Sequence, residues 1–406
     1  MKIKKKIAGI LSIVMTISLI GCSKPSTKPE DINVSDKKYE QLLEEAKGTT
    51  VNFYGYGGNE VMNKWFDTYI IPQMKEKYNI TVKRVGMNID EILNSLLSDK
   101  QANNLKGNMD VVWINGENFK TAKDSNLLLG KFTEKLPNFN KYVDTASEDI
   151  TTDFGTKVDN MEAPWGKAQF TIIENASKVD KEIKNTNDLK EVIMKNPGKF
   201  TYPAPPDFTG SAFVRNVIYD IVGYENVKDL PADEKKVKKV IQPAINYLKE
   251  IKPYLWNKGK TYPSTTSQLD NMYSDEEVYF TMTYSPNVIP SKIESKEFSP
   301  DTKIIEFEKG NISNTHFLTV PFNTQNQAGA MVLIDYLMSI DAQGSKTFSK
   351  NWGDSTILDM NKIPKSEKGK FSDEIIVIEN AVPELRAELV PIIEKIWTKE
   401  VLESEQ

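Results

Sequence analysis

At 406 residues, with 39% hydrophobic and 27% charged side chains, the chain can bury large cores and divide into two domains. A formal charge of −5, with one short basic cluster beyond the first few residues, argues against a nucleic-acid partner. The single cysteine, Cys22, rules out an intrachain disulfide, and the single histidine, His316, leaves no His/Cys set for a metal centre.

Lys2, Lys4, Lys5 and Lys6 precede an uncharged, mostly apolar run from Ile7 to Ile20. The run is shorter than the ~20 residues that span a bilayer as a helix, and its layout is that of a secretory signal. It closes on Leu19-Ile20-Gly21-Cys22, which resembles the lipobox of bacterial lipoproteins. That resemblance implies cleavage before Cys22, lipid on Cys22 and a body held at the cell membrane on its extracellular side. Ser23 to about Ser35 is polar, carries Pro25 and Pro29, and reads as a flexible tether.

Val51 to Tyr54 reads as a short buried strand that runs into a turn with Gly55, Gly57 and Gly58. A helix opens near Asn59, with Met62, Trp65, Phe66, Tyr69 and Ile70 on one stripe, and Pro72 predicts a kink or an end. A strand that ends in glycines and feeds a helix leaves backbone N–H groups facing a crevice, here walled by Tyr54 and Tyr56. Ile80–Val85 reads as the next strand. Ile89, Ile92, Leu93, Leu96 and Leu97 mark a helix, and Met109–Ile114 is an apolar run typical of a buried parallel strand. This β-α-β-α-β series predicts a parallel sheet with helices on both faces and ligands beyond the carboxyl ends of its strands. Tyr54–Gly58 and Trp113–Asn118, the latter with Asn115 and Glu117, are two such ends.

Four later stretches carry a more specific resemblance. Ala163–Asn175 begins Ala-Pro-Trp-Gly and reads as one long strand; Phe200–Phe213 contains Pro-Pro-Asp-Phe-Thr-Gly-Ser. Val278–Asn287 ends Thr-Tyr-Ser-Pro-Asn, and Leu318–Gln343 joins a strand to an amphipathic helix ending Asp-Ala-Gln. In this order they resemble the bacterial extracellular solute-binding proteins of ABC importers, of the type II periplasmic-binding-protein fold. The resemblance implies two α/β lobes, each a mostly parallel sheet flanked by helices, joined by crossover hinge strands. It divides the chain into a signal (1–22), a tether with a first helix (23–46), lobe 1 (47–162 with 315–345), lobe 2 (163–314) and a C-terminal helical segment (346–406). It implies a monomer that captures a small solute between the lobes and passes it to an ABC permease, with no cofactor and no metal.

The residues expected at the solute are Tyr54, Tyr56, Gly57, Trp113, Asn115 and Glu117 from one side. From the other come Asp207, Phe208, Thr209, Gly210 and Ser211, with Trp165 and Tyr284 near the hinge. Thr209 or Ser211 is the expected N-cap of a helix whose start offers N–H donors. Rings at strand ends stack on planar ligands or hold cations, although about half of these six aromatics should serve packing only. Iron-binding members of the resembling family use adjacent tyrosines, and this chain has no Tyr-Tyr pair. With Asp207 and Glu117 near the cleft, an organic cation such as a polyamine or a thiamine-like heterocycle is the leading solute class. A carbohydrate is the alternative, and a surface lipoprotein that binds other proteins is the alternative from another class.

Enzyme signatures fail. No Gly-x-Ser-x-Gly elbow occurs, and Gly259-Lys260-Thr261 has Tyr254 where a phosphate loop needs its first glycine. Pro231–Leu255 reads as a helix bent at Pro243. Leu385, Leu389, Ile392, Ile393, Ile396 and Trp397 read as another, bent at Pro391, whose docking partner the sequence does not reveal.

Overall fold

The computed structural model describes residues 36–374, 376 and 380–404. The signal, Cys22 and most of the expected tether lie outside the described residues. The strands in chain order are β1 (Thr50–Gly55), β2 (Thr81–Gly86), β3 (Val111–Ile114), β4 (Thr152–Asp153), β5 (Thr156–Lys157) and β6 (Glu162–Gln169). They continue with β7 (Thr171–Asn175), β8 (Phe280–Thr283), β9 (Thr302–Ile305), β10 (Asn311–Thr319) and β11 (Ala381–Pro383).

β1 lies between β2 and β3, parallel to both, with Val51 opposite Val82 and Phe53 opposite Val111. Helices cross between these strands, so both faces of β1 are covered and Val51, Phe53 and Tyr54 are all buried. Pro72 does not end the helix. A π-helical turn, Phe66–Ile70, precedes it, and Pro72 then sits in the first turn of Ile71–Tyr78, where its missing N–H costs nothing.

β10 completes this larger sheet, antiparallel to β3 on one side and to β6 on the other. β6 and β7 are almost one strand, interrupted at Phe170, yet they belong to different sheets. At that crossing the buried Phe170 donates its N–H to the Ile312 carbonyl at 2.7 Å, just where β10 begins its return. β11 runs parallel to β10 over Asn311–Ser313, so a third segment meets the crossing.

The smaller sheet has the order β8-β7-β9, and both neighbours run antiparallel to β7. In this detail it differs from the mostly parallel arrangement implied for the second sheet. Its central strand is the incoming crossover strand itself, which enters opposite to β8 and β9. Phe200–Tyr202 forms no ladder; beside it the Tyr279 N–H reaches the Lys199 carbonyl at 2.8 Å.

The helix Phe208–Val222 runs through the core over this sheet, buried from Thr209 to Asp220. Glu234–Ile251 packs along it with Pro243 inside the helix. The C-terminal helix, Val390–Trp397, joins the same core: Leu389, Ile393, Ile396 and Trp397 cluster with Phe213, Ile241 and Leu248. Pro391 lies in its first turn and therefore starts the helix instead of bending it. Lys252, itself buried, donates to the carbonyls of Val401, Leu402 and Ser404 at 2.6–3.1 Å, which satisfies acceptors left open where the last turn ends.

Trp397 is fully buried and its indole N–H donates to the Tyr202 hydroxyl at 3.0 Å. Trp397→Ala is expected to cost about 3–5 kcal/mol, read as a lower urea midpoint at unchanged slope. An unchanged midpoint would show that the second core does not depend on this helix.

Candidate functional site

The expected site residues fall into two groups. The first gathers on the larger sheet. The Trp113 ring meets the edges of His316 at 5.1 Å, Trp165 at 5.2 Å and Trp352 at 5.9 Å, between ring centres. Trp165 is fully buried among Trp113, Trp352 and Phe53, so it belongs to the packing of the sheet; Trp113 is only half-buried. Under these rings the Lys346 ammonium donates to Asp354 at 2.6 Å and to the Trp165 carbonyl at 2.7 Å. The indole nitrogen of Trp165 and both ring nitrogens of His316 have no hydrogen-bond partner.

Tyr54 is held inside the sheet between Val85 and Val112. Tyr56 turns outward and is 46% exposed, and its hydroxyl pairs with Ser267 at the head of the helix Thr266–Ser274 on the other half. Gly57 is required by a close backbone approach: a Cβ there would lie 3.0 Å from the Cα of Gly86.

The second group lies where the helix Glu117–Asp124 faces the helix Phe208–Val222. Asn115 and Glu117 follow β3, and Gly116 takes φ 66° between them with Phe154 against it, a position for glycine. The Gly116 N–H donates to Asp153 at 2.6 Å. Phe208 packs on Tyr284 with ring centres 4.9 Å apart and on Phe154 at 6.3 Å.

The N-cap of the second helix is Asp207, not Thr209 or Ser211. Its carboxylate accepts the N–H groups of Thr209 at 3.0 Å and Gly210 at 2.9 Å, so these donors are already satisfied by the protein. Gly210 packs so closely that a Cβ would overlap the Pro203 carbonyl. The Ser211 hydroxyl is engaged too, donating to Glu394 and accepting from Arg215, both at 2.6 Å.

Arg215 is almost fully buried and grips Glu384 through two bonds, at 3.0 and 3.2 Å. The Tyr284 hydroxyl also donates to Glu384, at 2.7 Å, and Asn314 does so at 3.3 Å. Asn314 and His316, two apart on β10, share a face of that strand and so link the two groups. Around Arg215 stand Glu117, Glu384 and Glu394, with Asp153 beside Glu117 and Glu162 beyond it. Burial lifts the Glu117 carboxyl to about 7 and pushes those of Asp153 and Glu162 well above the usual range. One oxygen of Glu117 and both of Glu162 lack a hydrogen-bond partner. Among the described residues no three such groups converge tightly enough to hold a metal ion.

Arg215, Glu384, Glu394, Asp153, Phe154 and Glu162 were not anticipated. Arg215 did carry a signal: a guanidinium inside an otherwise apolar helix must have a buried partner. Glu384 and Glu394 lie in a segment whose pattern revealed only a helix.

Residues 70–357 match the family described as bacterial extracellular solute-binding protein, and the chain belongs to it. It is 32% identical over 332 residues to Protein YnjB of Escherichia coli (strain K12), covering 81% of this chain and 85% of that one. Among solved structures, a putative spermidine/putrescine ABC transporter from Listeria monocytogenes superposes with a TM-score of 0.61 at 15% identity, covering 87% of this chain and 98% of its own. Apo ferric ion-binding protein A from Pasteurella haemolytica does so with 0.60 at 13% identity, over 87% and 98%. The fold is thus the mixed α/β, type II periplasmic-binding-protein-like fold. Such proteins bind small solutes for ABC importers and work with a permease; they are not enzymes.

Arg215→Met is expected to cost about 3–5 kcal/mol, because it leaves Glu384 buried without its cation. Arg215→Met with Glu384→Met should recover most of that loss in denaturant unfolding. A double variant as unstable as the sum of the two single variants would show that the pair is not coupled.

Proposed function

We propose that the chain is a membrane-tethered receptor that captures a small organic cation, a polyamine or a thiamine-like heterocycle, and delivers it to an ABC permease. The observation that carries this reading is the surplus of carboxyl groups where the two sheets face each other. Among the described residues Arg215 is the cation inside this group, with Lys123 at its edge, and Glu384 already engages Arg215. A carbohydrate would supply hydroxyls but would not relieve that charge. The half-buried Trp113 and the Phe208–Tyr284 pair are the rings best placed to face such a ligand, whereas Tyr54 and Trp165 support it from within. The spermidine/putrescine designation of the Listeria neighbour agrees with this class of solute.

Residues 47–162 with 315–345 would form one lobe and 163–314 the other; of the C-terminal segment 346–406, the stretch around Trp352 and Asp354 would stay with the first and the helix Val390–Trp397 would complete the second. Closure is a population shift: the solute favours the closed form only through contacts it makes better there. Tyr56, which reaches Ser267 from the opposite half, is one contact that opening would break. Cys22 would carry the lipid and residues 23–46 the reach from the membrane surface.

A ligand that binds only the folded state stabilises it by RT ln(1 + [L]/Kd), about 2.7 kcal/mol at a hundredfold excess over Kd. A thermal-shift comparison of spermidine, thiamine, maltose and ferric citrate is therefore expected to single out a cation. A shift with maltose alone would overturn the cation reading. Cys22→Ala should move the protein from the membrane fraction to the soluble fraction of cells that express it; retention in the membrane would exclude the lipid anchor.

A further inference from the structure

We infer that Glu117, Asp153, Glu162 and Glu394 act as one row of carboxyls that holds protons before capture and releases them to the solvent when the solute's positive charge enters, so that binding exchanges protons for a cation. The inference rests on the cation reading above and adds to it a mechanism of charge compensation.

The four groups come from separate parts of the chain. Glu117 heads its helix, Asp153 ends β4, Glu162 begins β6 and Glu394 lies in the C-terminal helix. Glu162 is 1% exposed and neither of its oxygens has a hydrogen-bond partner, although it faces Asp153. Asp153 is 2% exposed and accepts from the Gly116 N–H. Glu117, which stands beside Asp153, also has one buried oxygen without a hydrogen-bond partner.

The groups around the row decide its charge. Glu117 faces Arg215, Glu394 and Glu384; Asp153 faces Glu117 and Glu384; Glu394 faces Arg215 and, more remotely, Asp90. Glu162 faces Asp153 and Lys123. Arg215 is bonded to Glu384 and Ser211, and Lys123 to Asp159, so their charge offsets Glu117, Glu394 and Glu162 only in part. A buried carboxylate without a partner is costly and takes a proton instead. A cation placed beside it reverses that preference.

The direction of the pH effect follows. All four carboxyls titrate above their ordinary range, so the stability their protonated forms contribute is lost as pH rises from the usual carboxylate range through about 7, the value for Glu117. A bound cation restores it, and affinity for the cation should rise over the same window. Four carboxyls drawn from four separate elements suit a delocalised or multiply charged organic cation better than a point charge.

The test uses the full-length chain, with spermidine and thiamine as probes at about pH 5.5 and about pH 8. Calorimetry in two buffers of different ionisation enthalpy should report proton release at the lower pH. Affinity should be at least about tenfold tighter at the higher pH, and Glu117→Gln should reduce both effects. Equal affinity at both pH values with no proton release would overturn the exchange and leave cation capture standing. If neither probe binds while Glu117→Gln still flattens the fall of Tm with pH, the cation reading fails and the exchange with it. Should Glu117→Gln not fold, Glu162→Gln and Glu394→Gln carry the same comparison.

Discussion

The pairing of Arg215 with Glu384 is the constraint on which the middle of this molecule depends. A guanidinium inside an apolar helix is tolerable only with a carboxylate at bonding distance, and the chain brings that carboxylate from 169 residues further on. The pair fixes where the segment after β11 must lie. From there Ala387 can donate its N–H to the Phe154 carbonyl at 2.8 Å, which ties the segment to the hairpin of β4 and β5. Tyr284, Asn314 and Ser211 are positioned by the same two charges. The remaining acids sit at the edge of this network and share its cation only at a distance or, for Glu394, through Ser211.

Membership of this family gives that arrangement a proposed function beside its structural one. A receptor that closes on a solute must leave some polar groups for the solute to satisfy. In the seam the helix start at Thr209–Gly210 does not serve, since Asp207 has already taken both N–H groups. Among the described residues the buried polar atoms left without a partner include carboxyl oxygens of Glu117 and Glu162, the ring nitrogens of His316, the indole nitrogen of Trp165 and the side-chain oxygen of Asn314. The backbone donors of that glycine-rich helix start are thus taken up within the protein, which supports the proposed recognition by carboxyls.

Much of the scaffold was legible because its signals are local. Apolar runs such as Met109–Ile114 and the glycine-rich exit from β1 report buried parallel strands and their ends without knowledge of distant partners. The order of motifs from Ala163 to Gln343 carried the family. The candidate site was legible only where it hangs on those ends, as Glu117 and Phe208 do. Trp165 misleads because a ring at a strand start looks the same whether it faces solvent or, as here, three other aromatic rings. Glu384 and Glu394 were invisible for a different reason: long-range charge pairing leaves no periodicity in the sequence. The antiparallel small sheet likewise depends on which strand the crossover enters, a property of topology and not of composition.

The C-terminal helix has a consequence for how the molecule comes into being. The second core draws on Ala168 and Phe170 at one extreme and on Trp397 and Val401 at the other. The larger sheet in turn needs β10, beyond residue 310, to join β3 to β6. A ribosome releases these residues late, so neither core can close on a partly made chain. For a member of an extracellular family that delay is useful, because a polypeptide that cannot finish folding until its last helix emerges stays threadable through an export channel for longer.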